Sequence, residues 1–233
     1  MNDPHRAVPI VALDFADAPR ALDLVERLGS RCDFYKVGSE LFTAAGPEIV
    51  RELRLRGARV FLDLKLHDIP NTVARAAAVA AEIGASLLTV HATGGARMIR
   101  AAVDAAGARC QIFAVTVLTS LAPAEAGEVW GRAGLTDLEP EVLRLAALAQ
   151  TAGARGVVCS GHEARALHAR FGDGLALLVP GLRLPGNSAG DQTRVVTPRA
   201  AAEAGAGYLV LGRAVTAAPD PVTAFEGAVA SLG

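Results

Sequence analysis

Eight times along this chain a short apolar run gives way to a longer, alanine-rich amphipathic stretch, and no other feature constrains the fold as tightly. Strands that all run the same way need a crossover between them, and a helix is the usual crossover, so the alternation predicts a parallel sheet covered by helices. The strand candidates are Pro9 to Phe15, Asp33 to Gly38, Arg59 to Lys65, Leu87 to Ala92, Cys110 to Thr119, Gly156 to Ser160, Ala176 to Leu182 and Gly207 to Arg213. Between the first two, Ala18, Ala21, Leu22, Val25 and Leu28 share one helical face, with Asp17 as N-cap and Gly29 as stop. Phe42, Ala45, Ile49 and Leu53 repeat the pattern before Gly57, and a third copy runs from Pro70 to Ile83 and ends at Gly84. Eight strands close a (β/α)₈ TIM barrel, whereas a doubly wound open sheet more often has five or six. The expectation is therefore an α/β chain, residues 1–233, forming one barrel domain. A length of 233 residues alone leaves one or two domains open, but no linker or change of composition marks a boundary.

Composition excludes several functions. The 23 Lys and Arg against 24 Asp and Glu leave a formal charge of −1, without the basic surplus that a nucleic-acid binder needs, so any anion site must be local. With 52% hydrophobic and 20% charged residues the chain has the means to bury a core, and 4% aromatics make that core mainly aliphatic. Cys32, Cys110 and Cys159 are odd in number and widely spaced, which points to a reducing compartment rather than to disulfides or a metal site. Asp14 and Asp17 interrupt the N-terminal apolar segment, and nothing approaches the ~18 consecutive apolar residues of a membrane span. A cytoplasmic protein that engages neither nucleic acid nor membrane is expected.

In a barrel the informative polar residues are those at the strand ends. Asp14 ends the first strand, Lys36 sits in the second, and the third finishes with Asp63, Leu64 and Lys65, followed by His67 and Asp68. Residues two apart in a strand share a face, so Asp63 and Lys65 point one way, and Leu62 and Leu64 the other. Taken alone, such a pair reads equally as a structural salt bridge. Together with Asp14, Lys36 and Asp68 it becomes a dense array in which neighbouring opposite charges keep each lysine protonated and each carboxylate ionised. A Schiff-base lysine needs the opposite environment. His67 and His91 each read as orienting or packing groups before they read as acid, base or ligand. A Mg²⁺ site built from Asp63 and Asp68 is conceivable, but Lys65 between them supplies the positive charge a metal would bring, so metal-free chemistry is expected.

A second cluster lies near the other end of the chain. Gly212 and Arg213 follow the eighth strand, with Thr216 read as the start of the next helix, and barrels commonly bind phosphate on the loops after strands seven and eight. Arg183, Gln192 and Arg194 lie on or near the long Gly- and Pro-containing loop from Leu182 to Thr197, which is placed to cover the same ligand. A Gly-Arg pair by itself is equally an ordinary polar loop.

The run Asp63-Leu64-Lys65-Leu66-His67-Asp68-Ile69-Pro70-Asn71-Thr72 resembles the signature of the orotidine 5′-phosphate decarboxylase family. The likeness extends through Val11 to Asp14, Lys36 to Gly38, Val115 to Ser120, Pro180 to Arg183, Gly190 to Gln192 and Gly212-Arg213. Ser39, Thr93 and Ala214 depart from the usual residues, and none is a charged site residue. The resemblance implies a cofactor-free decarboxylase acting on a nucleotide, the last step of UMP synthesis, working as a homodimer of barrels with shared active sites. It implies Lys65 as the proton donor to C6 of the pyrimidine, and Asp63 with the Asp68 of a neighbouring subunit against the substrate carboxylate. Lys36 would complete the charge network and hold ribose hydroxyls with Asp14. Thr119 would bind the pyrimidine edge, and Arg183, Gln192, Gly212 and Arg213 the 5′-phosphate. The remaining signature residues, Leu64, Leu66, His67, Ile69, Pro70, Asn71 and Thr72, would complete the substrate-binding set.

Overall fold

The computed structural model describes residues 7–183 and 196–232. Its first half runs β1 (Val8–Ala12), α1 (Ala18–Leu28), β2 (Phe34–Gly38), α2 (Ser39–Ala45), α3 (Glu48–Leu55), β3 (Arg59–Leu66), α4 (Pro70–Glu82), β4 (Leu87–His91) and α5 (Gly95–Ala106). The second half continues β5 (Gln111–Val115), α6 (Pro123–Val129), α7 (Glu139–Thr151), β6 (Gly156–Val158), α8 (Ala164–Phe171), β7 (Ala176–Val179), α9 (Pro198–Glu203), β8 (Tyr208–Leu211), α10 (Arg213–Thr216) and α11 (Pro221–Ala230). Each strand pairs in parallel with its neighbours in sequence, and β8 pairs with β1, so the eight strands close as a (β/α)₈ barrel. Among the described residues no helix is long and apolar enough to cross a membrane.

Alternation along each strand produces two cores. Ile10, Ala12, Phe34, Phe61, Phe113, Leu178 and Val210 point into the barrel, and a larger set that includes Val11, Tyr35, Leu62 and Leu88 meets the helices. At the floor, the end where the strands begin, Tyr208 meets Phe34 and Phe113 edge-on, with ring centroids 6.4 and 5.5 Å away, and the Arg59 guanidinium lies 4.4 Å over Phe34. This packing depends on Gly156, where a Cβ would fall 2.4 Å from the Phe113 ring and 2.3 Å from the Ala176 carbonyl. The three cysteines are buried and in no disulfide, and burial pushes the Cys32 thiol up to about 11 and the Cys110 thiol up to about 12.

The Asp17 cap is present, its Oδ1 accepting from the Arg20 amide at 2.9 Å, and Gly29 ends the helix. Elsewhere the structure corrects the sequence reading. The pattern from Phe42 to Leu53 is two helices, because Gly46 takes a left-handed φ of 65° and Pro47 follows it. Thr216 ends α10 rather than starting a helix, and α11 begins after the Asp220 cap. Most strands stop short of their expected ends: β1 ends at Ala12 and β5 at Val115, because the residues beyond leave the ladder to form the barrel mouth.

A charged mouth and a cationic rim

The inward parity that carries apolar residues lower in the barrel carries charge at its C-terminal mouth. Lys36, on β2, is buried, and its Nζ lies 2.6 Å from Asp14 Oδ1 and 3.9 Å from Asp63 Oδ2. Asp63, on β3, is also buried, and Oδ2 accepts from Lys65 Nζ at 2.8 Å. One carboxylate thus stands between two ammonium groups, the arrangement that allows charges to stay ionised out of water. Asp14, just past β1, is exposed and closes the chain Asp14–Lys36–Asp63–Lys65. Gly38 makes room for it: a Cβ there would come within 3.0 Å of Lys36 Nζ and 3.2 Å of Asp14 Oδ1.

Lys65 is the only non-glycine residue with positive φ among those described, at 50°. Such a conformation costs roughly 1–3 kcal/mol and is characteristic of functional sites. It arises because β3 is bulged against β4: Leu62 pairs with Leu88 and Leu66 with Val90, so Asp63, Leu64 and Lys65 face Thr89 alone. Asp63 and Lys65 do share a face, as their spacing predicts, but an irregular backbone brings Lys65 there. Sequence reasoning passed over Thr89, which is fully buried; its Oγ1 accepts from the Lys65 amide at 3.0 Å and donates to Asp63 Oδ1 at 2.8 Å. Its signal was a hydroxyl at an inward position of an otherwise apolar strand.

The other signature residues divide. Leu64 and Leu66 pack against the helix-facing core, the side opposite Asp63 and Lys65 to which parity assigns Leu64. His67 lies beside His91, ring centroids 5.5 Å apart and planes tilted by 40°, and burial together with the charges of His67 and Lys65 holds His91 below the ordinary histidine range. Asp68 and Ile69 are exposed, Asp68 Oδ1 accepts from the Ile69 amide at 2.6 Å, and Pro70, Asn71 and Thr72 form the first turn of α4. Among the described residues no ion pair joins Asp68 to Lys36 or Lys65. Thr119 is half-buried on the segment after β5.

Across the mouth Gly212 and Arg213 follow β8, and Arg183 follows β7 with its amide bonded to the Val196 carbonyl at 3.1 Å. Burial and the nearby Arg213 charge both lower the Arg183 guanidinium, so the two cations lie near one another. Gln192 and Arg194 lie outside the described residues.

Residues 8–228 match the family described as "Orotidine 5′-phosphate decarboxylase / HUMPS family". An orotidine 5′-phosphate decarboxylase of Halorhodospira halophila is 50% identical over 226 residues, covering 96% of this chain and 94% of the relative. One of Anaeromyxobacter dehalogenans is 51% identical over 221 residues, covering 95% and 96%. The crystal structure of orotidine 5′-phosphate decarboxylase from Lactobacillus acidophilus superimposes with a TM-score of 0.84 at 37% identity, covering 98% of this chain and 99% of that one.

Proposed function

The chain belongs to the orotidine 5′-phosphate decarboxylase / HUMPS family, and from that premise we propose that it decarboxylates orotidine 5′-phosphate to UMP and CO2, the last step of pyrimidine nucleotide synthesis. The observation that carries this reading is Asp63 held 2.8 Å from one lysine ammonium and 3.9 Å from another.

The chemical difficulty is a carbanion at C6 with no carbonyl or cofactor to delocalise into. As the bond from C6 to the carboxylate breaks, CO2 leaves and the electron pair stays on C6, where the Lys65 ammonium delivers a proton. A fixed ammonium favours that localised charge more than the delocalised carboxylate of the bound substrate, which is the condition for catalysis. Asp63 against the substrate carboxylate acts in the same direction: like charges about 4 Å apart repel by roughly 4 kcal/mol at an effective dielectric near 20. Enzymes typically lower barriers by about 8–23 kcal/mol, so the repulsion is a contribution and phosphate binding must hold the substrate against it. Arg183, Gln192, Gly212 and Arg213 supply that grip, Thr119 the pyrimidine contact, and Asp14 with Lys36 the ribose contact.

Residues 1–233 act as one barrel domain, in the cytoplasm, as a homodimer whose Asp68 completes the partner's site; the exposure of this side chain supports the sharing. A metal-dependent sugar-phosphate enzyme of the same superfamily is the second reading, but the Lys36 ammonium stands between two carboxylates, where such an enzyme would carry an acidic residue.

Loss of orotidylate absorbance on adding purified protein tests the reading, and Lys65→Ala is expected to abolish it. Turnover that EDTA removes and Mg²⁺ restores would transfer the assignment to the second reading. Mixed dimers of Lys65→Ala and Asp68→Ala should retain one working site in two, and two dead sites would refute sharing.

A further inference from the structure

The bulge in β3 leaves an unusual demand on a single side chain. Between its pairings with Leu88 and Val90, β3 advances four residues while β4 advances two, so the ladder has no regular partner for the backbone at Lys65. The Lys65 amide instead donates to Thr89 Oγ1. A hydroxyl carries one hydrogen, and a carboxylate can only accept, so the Thr89 hydrogen is committed to Asp63 Oδ1 and its lone pair to the Lys65 amide. The two oxygens of Asp63 are thereby divided, Oδ1 to Thr89 and Oδ2 to Lys65 Nζ, which fixes the plane of the carboxylate. Thr89 is fully buried, so no water replaces it.

We propose that Thr89 is a positioning residue for the reaction: one hydroxyl sets both the orientation of Asp63 and the left-handed backbone from which Lys65 projects its ammonium. The inference rests on the decarboxylase reading above. Without the hydroxyl, two buried polar groups lose their partner and the strained φ at Lys65 loses its tether, so carboxylate and ammonium drift from their shared geometry. Substrate affinity, carried mostly by the phosphate across the mouth, is left nearly intact.

The test compares the purified full-length protein with Thr89→Val, of nearly the same shape but lacking the hydroxyl, and Thr89→Ser, which keeps it. Thr89→Val is expected to lose about 10- to 100-fold in kcat, as small misplacements of reacting groups do, with KM within about threefold. Thr89→Ser should stay within about threefold of wild type in both. Equal losses in the two variants would assign the effect to packing of the methyl group and overturn the proposal, as would an unchanged kcat in Thr89→Val. Should Thr89→Val fail to fold, Thr89→Cys, whose thiol is a weak donor of similar size, takes its place under the same criteria. Hydrogen exchange at the Lys65 amide reads the same bond without turnover: protection at least about tenfold lower in the hydroxyl-free variant than in Thr89→Ser is expected, and equal protection overturns the proposal. If the wild-type protein leaves orotidylate unchanged, the decarboxylase reading falls on that result alone, and amide exchange still decides whether Thr89 holds the bulge.

Discussion

Replacing Lys36 with methionine removes an ammonium and keeps most of the side chain's length. Lys36 lies 3.9 Å from Asp63 and 2.6 Å from Asp14, separations worth about 4 and 6 kcal/mol of direct attraction at an effective dielectric near 20. The side chain of Asp14 is 54% exposed, so water takes over its role and its share shrinks to about 0–1 kcal/mol. The side chain of Asp63 is 12% exposed, so water does little for it, and Lys65 at 2.8 Å is the cation left beside it. Breaking a buried pair by removing one partner typically costs about 3–5 kcal/mol, and because Lys65 still offsets part of the Asp63 charge the low end, about 3 kcal/mol, applies. For a domain of this size each kcal/mol moves the melting temperature by about 2–4 °C, so Lys36→Met should melt about 6–12 °C below wild type at pH 7. The double variant Lys36→Met/Asp63→Asn removes the stranded charge and should recover at least half of that loss while remaining inactive. Thermal denaturation followed by far-UV circular dichroism measures both. A single variant within 2 °C of wild type, or a double variant no more stable than the single, would refute the claim that Lys36 stabilises the fold through Asp63; the 2 °C margin corresponds to less than about 1 kcal/mol.

Two further outcomes follow from other parts of the fold. Arg183→Ala and Arg213→Ala should each raise KM at least about tenfold with a smaller effect on kcat, and should shrink the rise in melting temperature that saturating UMP gives the wild type, read by thermal shift with and without the nucleotide; an unchanged shift in both variants would place the phosphate elsewhere. Glu141, at the start of α7, is held below the ordinary glutamate range, chiefly by its hydrogen bond from Arg144 and then by the Arg144 charge and Arg132. Its lowered folded value makes its contribution to stability full above the unfolded pKa and lost as pH falls through the folded one, so Glu141→Gln should flatten the stability curve below about pH 4.5 in urea titrations across pH; a slope equal to wild type would contradict it.

The barrel could be read from the chain because eight apolar runs of strand length alternate with amphipathic ones, and a side-chain period of two needs no knowledge of distant partners. The strand ends could not. Leu13 and Phe15 are as apolar as the residues before them, and only the curvature of the closed barrel decides where the ladder stops. Gly46 and Pro47 did announce a break within the second helical pattern, but the apolar spacing across them masked it. At the mouth, residue types and parity brought Asp63, Lys65 and Lys36 together on paper. The bulge that places Lys65 depends on a register between β3 and β4 that neither segment encodes alone. The proximity of Arg183 and Arg213 likewise depends on β7 and β8 lying side by side.

The aromatic floor under the mouth does more than fill space. Phe34 and Phe61 lie on the same inward faces as Lys36 and Asp63, one layer below them, so the charges rest on an apolar backing with no dipoles that reorient as water's do. Their field has only one direction in which to spread, outward through the opening, and dissolved ions can reach it only from that side. An empty mouth should therefore feel the ionic strength of its surroundings, whereas a mouth stoppered by its ligand should be nearly deaf to it. Added salt would then slow capture of the nucleotide while leaving the rate of the chemical step at saturation almost untouched.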